Sequence, residues 1–383
     1  MTSERITVDS VAAYTVGDQT VRFDCEIAAP ETVTQRTVPV ELTIYGPRTF
    51  RFELQANPEV ATDSDYPRLN SDTLSESPDF EVTEVEETLT IDTGALRIAV
   101  GLDTWSFVVS DADTDETVFE EQRFDPDVFG RQRVDPLGFT QEEINHNPRK
   151  VTQTGTAFRL SPDEKIYGAG EQFVEFDRRG RELDLWHEEP LGTETERAYK
   201  NIPFHLSTNG YGLLLDTTAR VHYDFGKSSV ASGTMSVSDD EFAFVFFYGP
   251  DFRDIIQRYT AVTGRPARPP KWSFGTWMSR LGYESREELE SVAERLRAES
   301  IPSDVLHLDP FWMRENKSTD LEWDTDQFPE PEEMISQLRE SDFRLSLWEH
   351  PHVPVGTDAF EAGVQEGYFV TDGSGKPYVM DHT

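Results

Sequence analysis

The sequence predicts two regions of different architecture, a large β-sandwich over residues 1–265 and a parallel β/α region over residues 266–383. Two patterns carry this reading. Apolar and polar residues alternate in short runs through the first region, which is the period of half-buried strands. After the RPARPP run at 265–270 the pattern changes to helical periods interleaved with short apolar strands. Composition supplies the third observation: 36% hydrophobic residues, with 25 Phe and 7 Trp, are ample material for a core and exclude global disorder.

In the first region, Leu42 and Ile44 mark one strand, and Phe50, Phe52 and Leu54 alternate with Arg51 and Glu53 in the next. Leu89–Ile91, Leu96–Val100, Trp105–Val109, Gly212–Leu215 and Phe242–Tyr248 follow, separated by Gly, Asp, Asn and Ser turns. Repeated strands with turn signals and almost no helical period predict a sandwich. The polar, acidic stretch at about 58–87 lacks periodicity and is expected to be a loop or mobile insertion.

In the second region, Trp272–Met278 reads as a strand. Ser285 precedes Glu288 by three residues, a capping box that opens a helix. Leu289, Val292, Ala293 and Leu296 then form one apolar helical face, and Ile301-Pro302 ends it. Val305–Leu308 is a buried strand. A second helix opens at Pro331, suited to a first turn, and buries Met334, Ile335 and Leu338. Leu345–Trp348 is the third strand. The order β-α-β-α-β requires parallel strands and fits either a doubly wound sheet or a (β/α)8 barrel.

Charge narrows the function. Asp plus Glu total 73 against 35 Lys plus Arg, a formal net of -38. A nucleic-acid partner needs the opposite sign, so no nucleic-acid partner is expected. Lysine stands only at 150, 165, 200, 227, 271, 317 and 376, and the acids are spread along the chain. Such a charge strains the compact state by self-repulsion, which molar salt screens, so the expectation is a halophilic protein. A single cysteine, Cys25, excludes a disulfide framework. With no apolar run of membrane length and no basic-then-apolar leader, no membrane partner is expected and the cytoplasm is the default location.

No cofactor is expected. YGAGEQF lacks the third glycine of a dinucleotide fingerprint. His350-x-His352 beside Glu349 lacks the HExxH helix of a zinc site, and no G-x-S-x-G elbow occurs. Reactive groups in either parallel architecture sit at the carboxyl ends of strands. Strand two ends in Asp309-Pro310-Phe311-Trp312 and strand three in Trp348-Glu349-His350. A carboxylate accepts two hydroxyl hydrogen bonds while an aromatic ring packs on the apolar face of a pyranose, so the set suits a sugar. The plainer alternative makes Asp309 a turn cap and Trp312 and Trp348 core.

The run PPKWSFGTWMSR (269–280) resembles the opening barrel strand of glycoside hydrolase family 31. DVLHLDPFWMRE (304–315), EWDTDQFPEPEEMI (322–335) and SLWEHP (346–351) are similar to the strands and loops that follow, and YGAGEQF (167–173) and AYKNIPFHLSTNGYG (198–212) to the N-terminal domain. The wording resembles the α-xylosidase branch, with α-glucosidase as the alternative. The resemblance implies retaining α-glycosidases with a galactose-mutarotase-like β-sandwich before a (β/α)8 barrel. It implies an α-linked oligosaccharide or xyloside substrate, Asp309 binding the non-reducing sugar's hydroxyls, Phe311 as a wall of that subsite and Trp348 as the aromatic ending strand three. An N-terminal loop acid maps to Glu189, where the xylosidase-like pattern has Asp, and His350 stands where the family usually shows Asn.

The family's nucleophile and acid/base lie on strand four and beyond, after the region matching this sequence, so no catalytic residue is assigned. A complete barrel takes about 250 residues, and residues 266–383 accommodate three strands. The expectation is therefore an incomplete barrel, a chain that is truncated and inactive alone. The leading expectation is the N-terminal portion of a retaining α-xylosidase of that family; the alternatives are a sugar-binding half completed in trans by a downstream half and a non-catalytic remnant. A homo-oligomer is the other possible partner.

Overall fold

A computed structural model describes residues 3–29, 36–57, 69, 78–123, 135–142, 150–190, 192–314 and 319–380. The chain divides into two units, Met1–Arg265 and Pro266–Thr383.

The first unit begins with β1 (Ser3–Val16), β2 (Thr20–Ala28), β3 (Thr37–Gly46) and β4 (Thr49–Gln55). A five-strand meander follows: β5 (Glu81–Val85), β6 (Thr88–Asp92), β7 (Leu96–Gly101), β8 (Ser106–Asp111) and β9 (Thr117–Glu120). The chain then continues through β10 (Gly138–Glu142), β11 (Lys150–Arg159), β12 (Ile166–Gly168), β13 (Glu182–Leu185) and β14 (Phe204–Ser207). β15 (Tyr211–Leu215), β16 (Val221–Asp224), β17 (Ser232–Val237) and β18 (Glu241–Tyr248) complete the set. The thirteen strands outside the meander form one antiparallel sheet, ordered β12-β14-β15-β18-β4-β3-β2-β1-β10-β11-β17-β16-β13. The two sheets share one core, in which Phe50, Phe52, Phe244 and Phe246 of the large sheet meet Phe107 and Phe119 of the meander. Alternation in sequence becomes alternation in burial, with Phe50, Phe52 and Leu54 inside and Arg51 and Glu53 at the margin.

Two features of this unit differ from the sequence expectation. Most of the acidic stretch at 58–87 lies outside the described residues, but its end is a strand, not a loop. β5 pairs with β6 through a hairpin whose turn residues, Glu86 and Glu87, both have positive φ (47° and 64°). The strand leaves Val85 68% exposed and half-buries only Val82, so its apolar signal was faint. The second feature is a helix, α1 (Phe252–Thr263), opened by Asp251, whose side chain accepts from the Asp254 amide. It covers the far face of β18 by packing Ile255 and Val262 on Val245 and Phe247. That explains why β18 is buried on both faces while most strands alternate.

In the second unit the expected strand at Trp272–Met278 is shorter. Lys271–Phe274 forms a 3-10 turn, and β19 spans Trp277–Ser279. The Gly275 amide donates to the Trp272 carbonyl and the Ser273 hydroxyl to the Pro270 carbonyl, so local bonds win over extension. α2 (Arg286–Ala298) starts at Ser285, whose Oγ accepts from the Glu288 amide at 3.2 Å. The Glu288 carboxylate reaches one residue further back than in a standard box, accepting from the Glu284 amide at 2.9 Å. Then come β20 (Val305–Leu308), α3 (Pro331–Glu340), β21 (Arg344–Leu347) and α4 (Asp358–Glu366). β19, β20 and β21 are parallel and adjacent in that order. Leu289, Ala293 and Leu296 of α2 and Met334 and Leu338 of α3 pack on Leu306 and Leu308, with Val292 and Ile335 partly buried beside them. Among the described residues no helix is long and apolar enough to cross a membrane.

Candidate functional site

Parallel register puts the carboxyl ends of β19, β20 and β21 at one end of the sheet, aligning Ser279, His307 and Ser346 across it. Alternation sends Leu306 and Leu308 into the helical layer, while His307 Nδ1 lies 3.1 Å from Ser346 Oγ. The next residue after β20 is Asp309.

Asp309 is half-buried, and its Oδ2 accepts a hydrogen bond from Ser279 Oγ at 3.2 Å. The 3-10 turn that follows, Pro310–Trp312, donates no backbone hydrogen bond to the Asp309 side chain. The plainer role of turn cap therefore does not account for this carboxylate. Phe311 is half-buried and its ring lies against the Gly282 backbone: a Cβ added at Gly282 would sit 1.9 Å from Phe311 Cδ2. No side chain larger than hydrogen fits there without moving the ring.

Trp312 is core, 4% exposed, as the plainer reading has it. Its indole N–H donates to the Trp348 carbonyl at 2.8 Å, and the Trp348 amide donates to the Leu308 carbonyl at 2.8 Å. These two bonds tie the ends of β20 and β21 together and fix Trp348, which is half-buried with its ring edge-to-face on His350 at 4.9 Å. His350 Nδ1 accepts from the His352 amide at 3.0 Å, and its ring nitrogens lie 3.1 and 3.2 Å from the hydroxyl of buried Thr319. Asp309, Phe311 and Trp348 thus stand at the same end of one sheet.

Glu189 belongs to the other unit, exposed on a loop after β13. That loop is braced by the Glu188 amide on the Ala198 carbonyl (3.1 Å), Asn201 Nδ2 on the Trp186 carbonyl (2.8 Å) and His187 Nδ1 near the Tyr199 carbonyl (2.9 Å).

Sequence reasoning missed Ser279 and Gly282. The polar end of WMS, one residue beyond an apolar strand, was a signal for Ser279. Gly282 had none, because it matters only through the ring that approaches it.

Residues 39–224 match the family description "Glycosyl hydrolase 31 N-terminal galactose mutarotase-like domain", and residues 266–383 match "Glycosyl hydrolases family 31 TIM-barrel domain". An α-xylosidase of Lactiplantibacillus pentosus is 33% identical over 244 residues, 63% of this chain and 32% of that protein. An α-xylosidase of Emericella nidulans is 35% identical over 220 residues, 56% of this chain and 28% of that protein. The chain thus matches about a third of the length of these curated relatives. Among solved structures, a Flavobacterium johnsoniae family 31 dextranase complexed with glucose superposes with a TM-score of 0.82 at 23% identity, covering 98% of this chain and 43% of that one. A family 31 α-xylosidase from a soil metagenome, complexed with xylose, gives 0.74 at 21%, covering 93% and 50%. The fold is accordingly a galactose-mutarotase-like sandwich followed by part of a TIM barrel, not a doubly wound sheet. Two domain descriptions of one family, in chain order and together taking in most of the sequence, make this chain a member of glycoside hydrolase family 31.

Proposed function

We propose that this chain supplies the non-reducing-sugar subsite of a retaining α-glycosidase that acts on α-xylosides. The observation that carries the reading is Asp309, a carboxylate at a strand end that caps no turn and receives one hydroxyl hydrogen bond from Ser279. A second hydroxyl donor, from a sugar, would complete the pair such a group accepts. Phe311, locked against Gly282, forms a wall beside it, which suits a pentose with no exocyclic carbon. Support for the substrate comes from the α-xylosidases among the relatives. An α-glucosidase of Bacillus thermoamyloliquefaciens, 28% identical over 214 residues, keeps α-glucosides as the alternative.

Retention needs two carboxylates about 5–5.5 Å apart. In the family these come from strand four onward, so hydrolysis is proposed for the polypeptide that joins those strands to this chain, in one protein or in trans. The test is saturation-transfer NMR of the 383-residue chain with methyl α-D-xylopyranoside and methyl α-D-glucopyranoside. Transfer to the xyloside, reduced at least fivefold in Asp309→Asn, supports the reading. Stronger transfer to the glucoside selects the alternative, and transfer unaffected by Asp309→Asn refutes the subsite.

A further inference from the structure

Carboxylates outnumber basic side chains by 73 to 35 in this chain, so a pocket in which guanidinium groups outnumber carboxylates stands against the bulk charge. Arg51 is surrounded by Glu53, Asp216 and Glu241. The outer side of α1 has the opposite balance. A pocket of about 230 Å³ there is lined by Asp254, Gln257, Arg258 and Ala261, which share one face of α1, and by Arg265 just past its end. Arg258 Nε is shut off from water and has no hydrogen-bond acceptor. Among the described residues Arg258 forms no ion pair, and neither does Arg48. Arg48 stands at the β3–β4 turn, its guanidinium 5.3 Å from the centroid of the Tyr248 ring, and its charge opposes that of Arg258, an effect Asp254 offsets only in part. Arg265 is anchored at the helix end, donating to Thr260 Oγ1 at 3.2 Å and to the Gln257 carbonyl at 3.3 Å.

Two guanidinium groups, Arg258 and Arg265, line the pocket beside the single carboxylate of Asp254, which makes it locally cationic on a strongly acidic protein. We propose that this pocket binds a small oxyanion, a phosphate or carboxylate group held by Arg258 with Arg265 beside it. The planar fork of arginine matches two oxygens of either group. The volume lies below the 300–1,000 Å³ usual for a drug-sized ligand, so it suits one such group with a few waters. The long-range repulsion from the rest of the chain is screened in molar salt, which leaves these short-range contacts to act.

The experiment is thermal unfolding of the whole chain by circular dichroism at constant ionic strength in KCl. One arm titrates potassium phosphate, a second potassium acetate, and a third holds chloride alone. A saturable rise in midpoint with phosphate or with acetate assigns the anion class. Reaching the same rise in Arg258→Gln is expected to need at least tenfold more of that anion. Phosphate also stabilises proteins by exclusion from their surface, but that effect does not saturate and acts equally on the variant. A rise of that kind, or no rise with either anion, overturns the site. Should Arg258→Gln fail to fold, Arg265→Gln gives the same comparison, with a loss of at least threefold expected and none counting against the site.

Discussion

Lowering the pH from 7.5 to 5 tests how the sandwich core treats His205. This residue is fully buried on β14, and neither ring nitrogen has a hydrogen-bond partner. Its ring lies 5.1 Å from Phe225, 5.5 Å from Tyr223, 6.0 Å from Tyr211 and 6.2 Å from Phe158, centroid to centroid. The two tyrosines are themselves held protonated by burial, so no charge faces the imidazole from them. Burial in this box pushes the histidine down to about 3 from an ordinary 6.5. Below pH 6.5 the unfolded chain therefore takes up a proton that the folded chain refuses, and stability falls with pH until about 3. At pH 5, between the two values, the loss is set by the roughly 1.5 pH units below the unfolded value at 1.36 kcal/mol per unit, about 2 kcal/mol. Other groups titrate over the same range. Buried Glu121, pushed upward mainly by desolvation, works in the opposite direction. The comparison is consequently between the wild type and His205→Phe, which retains every other group. Guanidinium unfolding at fixed KCl, followed by near-ultraviolet circular dichroism, measures both proteins at both pH values. The wild type should lose about 2 kcal/mol more than His205→Phe between pH 7.5 and 5. Equal losses would show that the imidazole is reached by water or paired, and would refute the reasoning.

Gly282→Ala forces its new methyl group into the Phe311 ring, and the displaced wall should weaken xyloside binding about tenfold while costing 1–3 kcal/mol of stability, roughly; unchanged affinity by the same NMR titration would remove Phe311 from the subsite. Salt adaptation, proposed from the dispersed -38 charge, predicts a higher thermal midpoint in 3 M than in 0.1 M KCl, concentrations chosen because screening lengths fall to roughly 3 Å by 1 M; equal midpoints would count against it. The 383 residues alone are expected to release no nitrophenol from nitrophenyl α-xyloside or α-glucoside, because the resemblance implies that the family's carboxylate pair lies on later strands. Release proportional to the amount of purified chain would contradict that.

Most of the fold was legible because burial follows period. Phe50, Phe52 and Leu54 announced β4, and Leu289, Ala293 and Leu296 announced α2. α1 was missed although Asp251 caps it, because its buried positions are only Ile255 and Val262, too few to impose a helical period. β5 was missed because an edge strand with one half-buried side chain need not alternate. At the site, Asp309 was legible from its place after an apolar strand and Trp348 from its place after the next. The contacts that hold them were not. Ser279 comes close to Asp309 only through parallel pairing of β19 with β20, and the seat of Phe311 at Gly282 depends on a loop conformation. Glu189 lies on an exposed loop of the other unit, and its sequence pattern carried no information about its partners.

The most direct measurement is a crystal structure of the chain soaked with methyl α-D-xylopyranoside. One sugar is expected at the carboxyl ends of β20 and β21, with a ring hydroxyl within about 3 Å of an Asp309 carboxylate oxygen and its carbon face against Phe311 or Trp348. A sugar bound elsewhere, or an Asp309 that takes only the Ser279 hydroxyl in crystals saturated with xyloside, would contradict it.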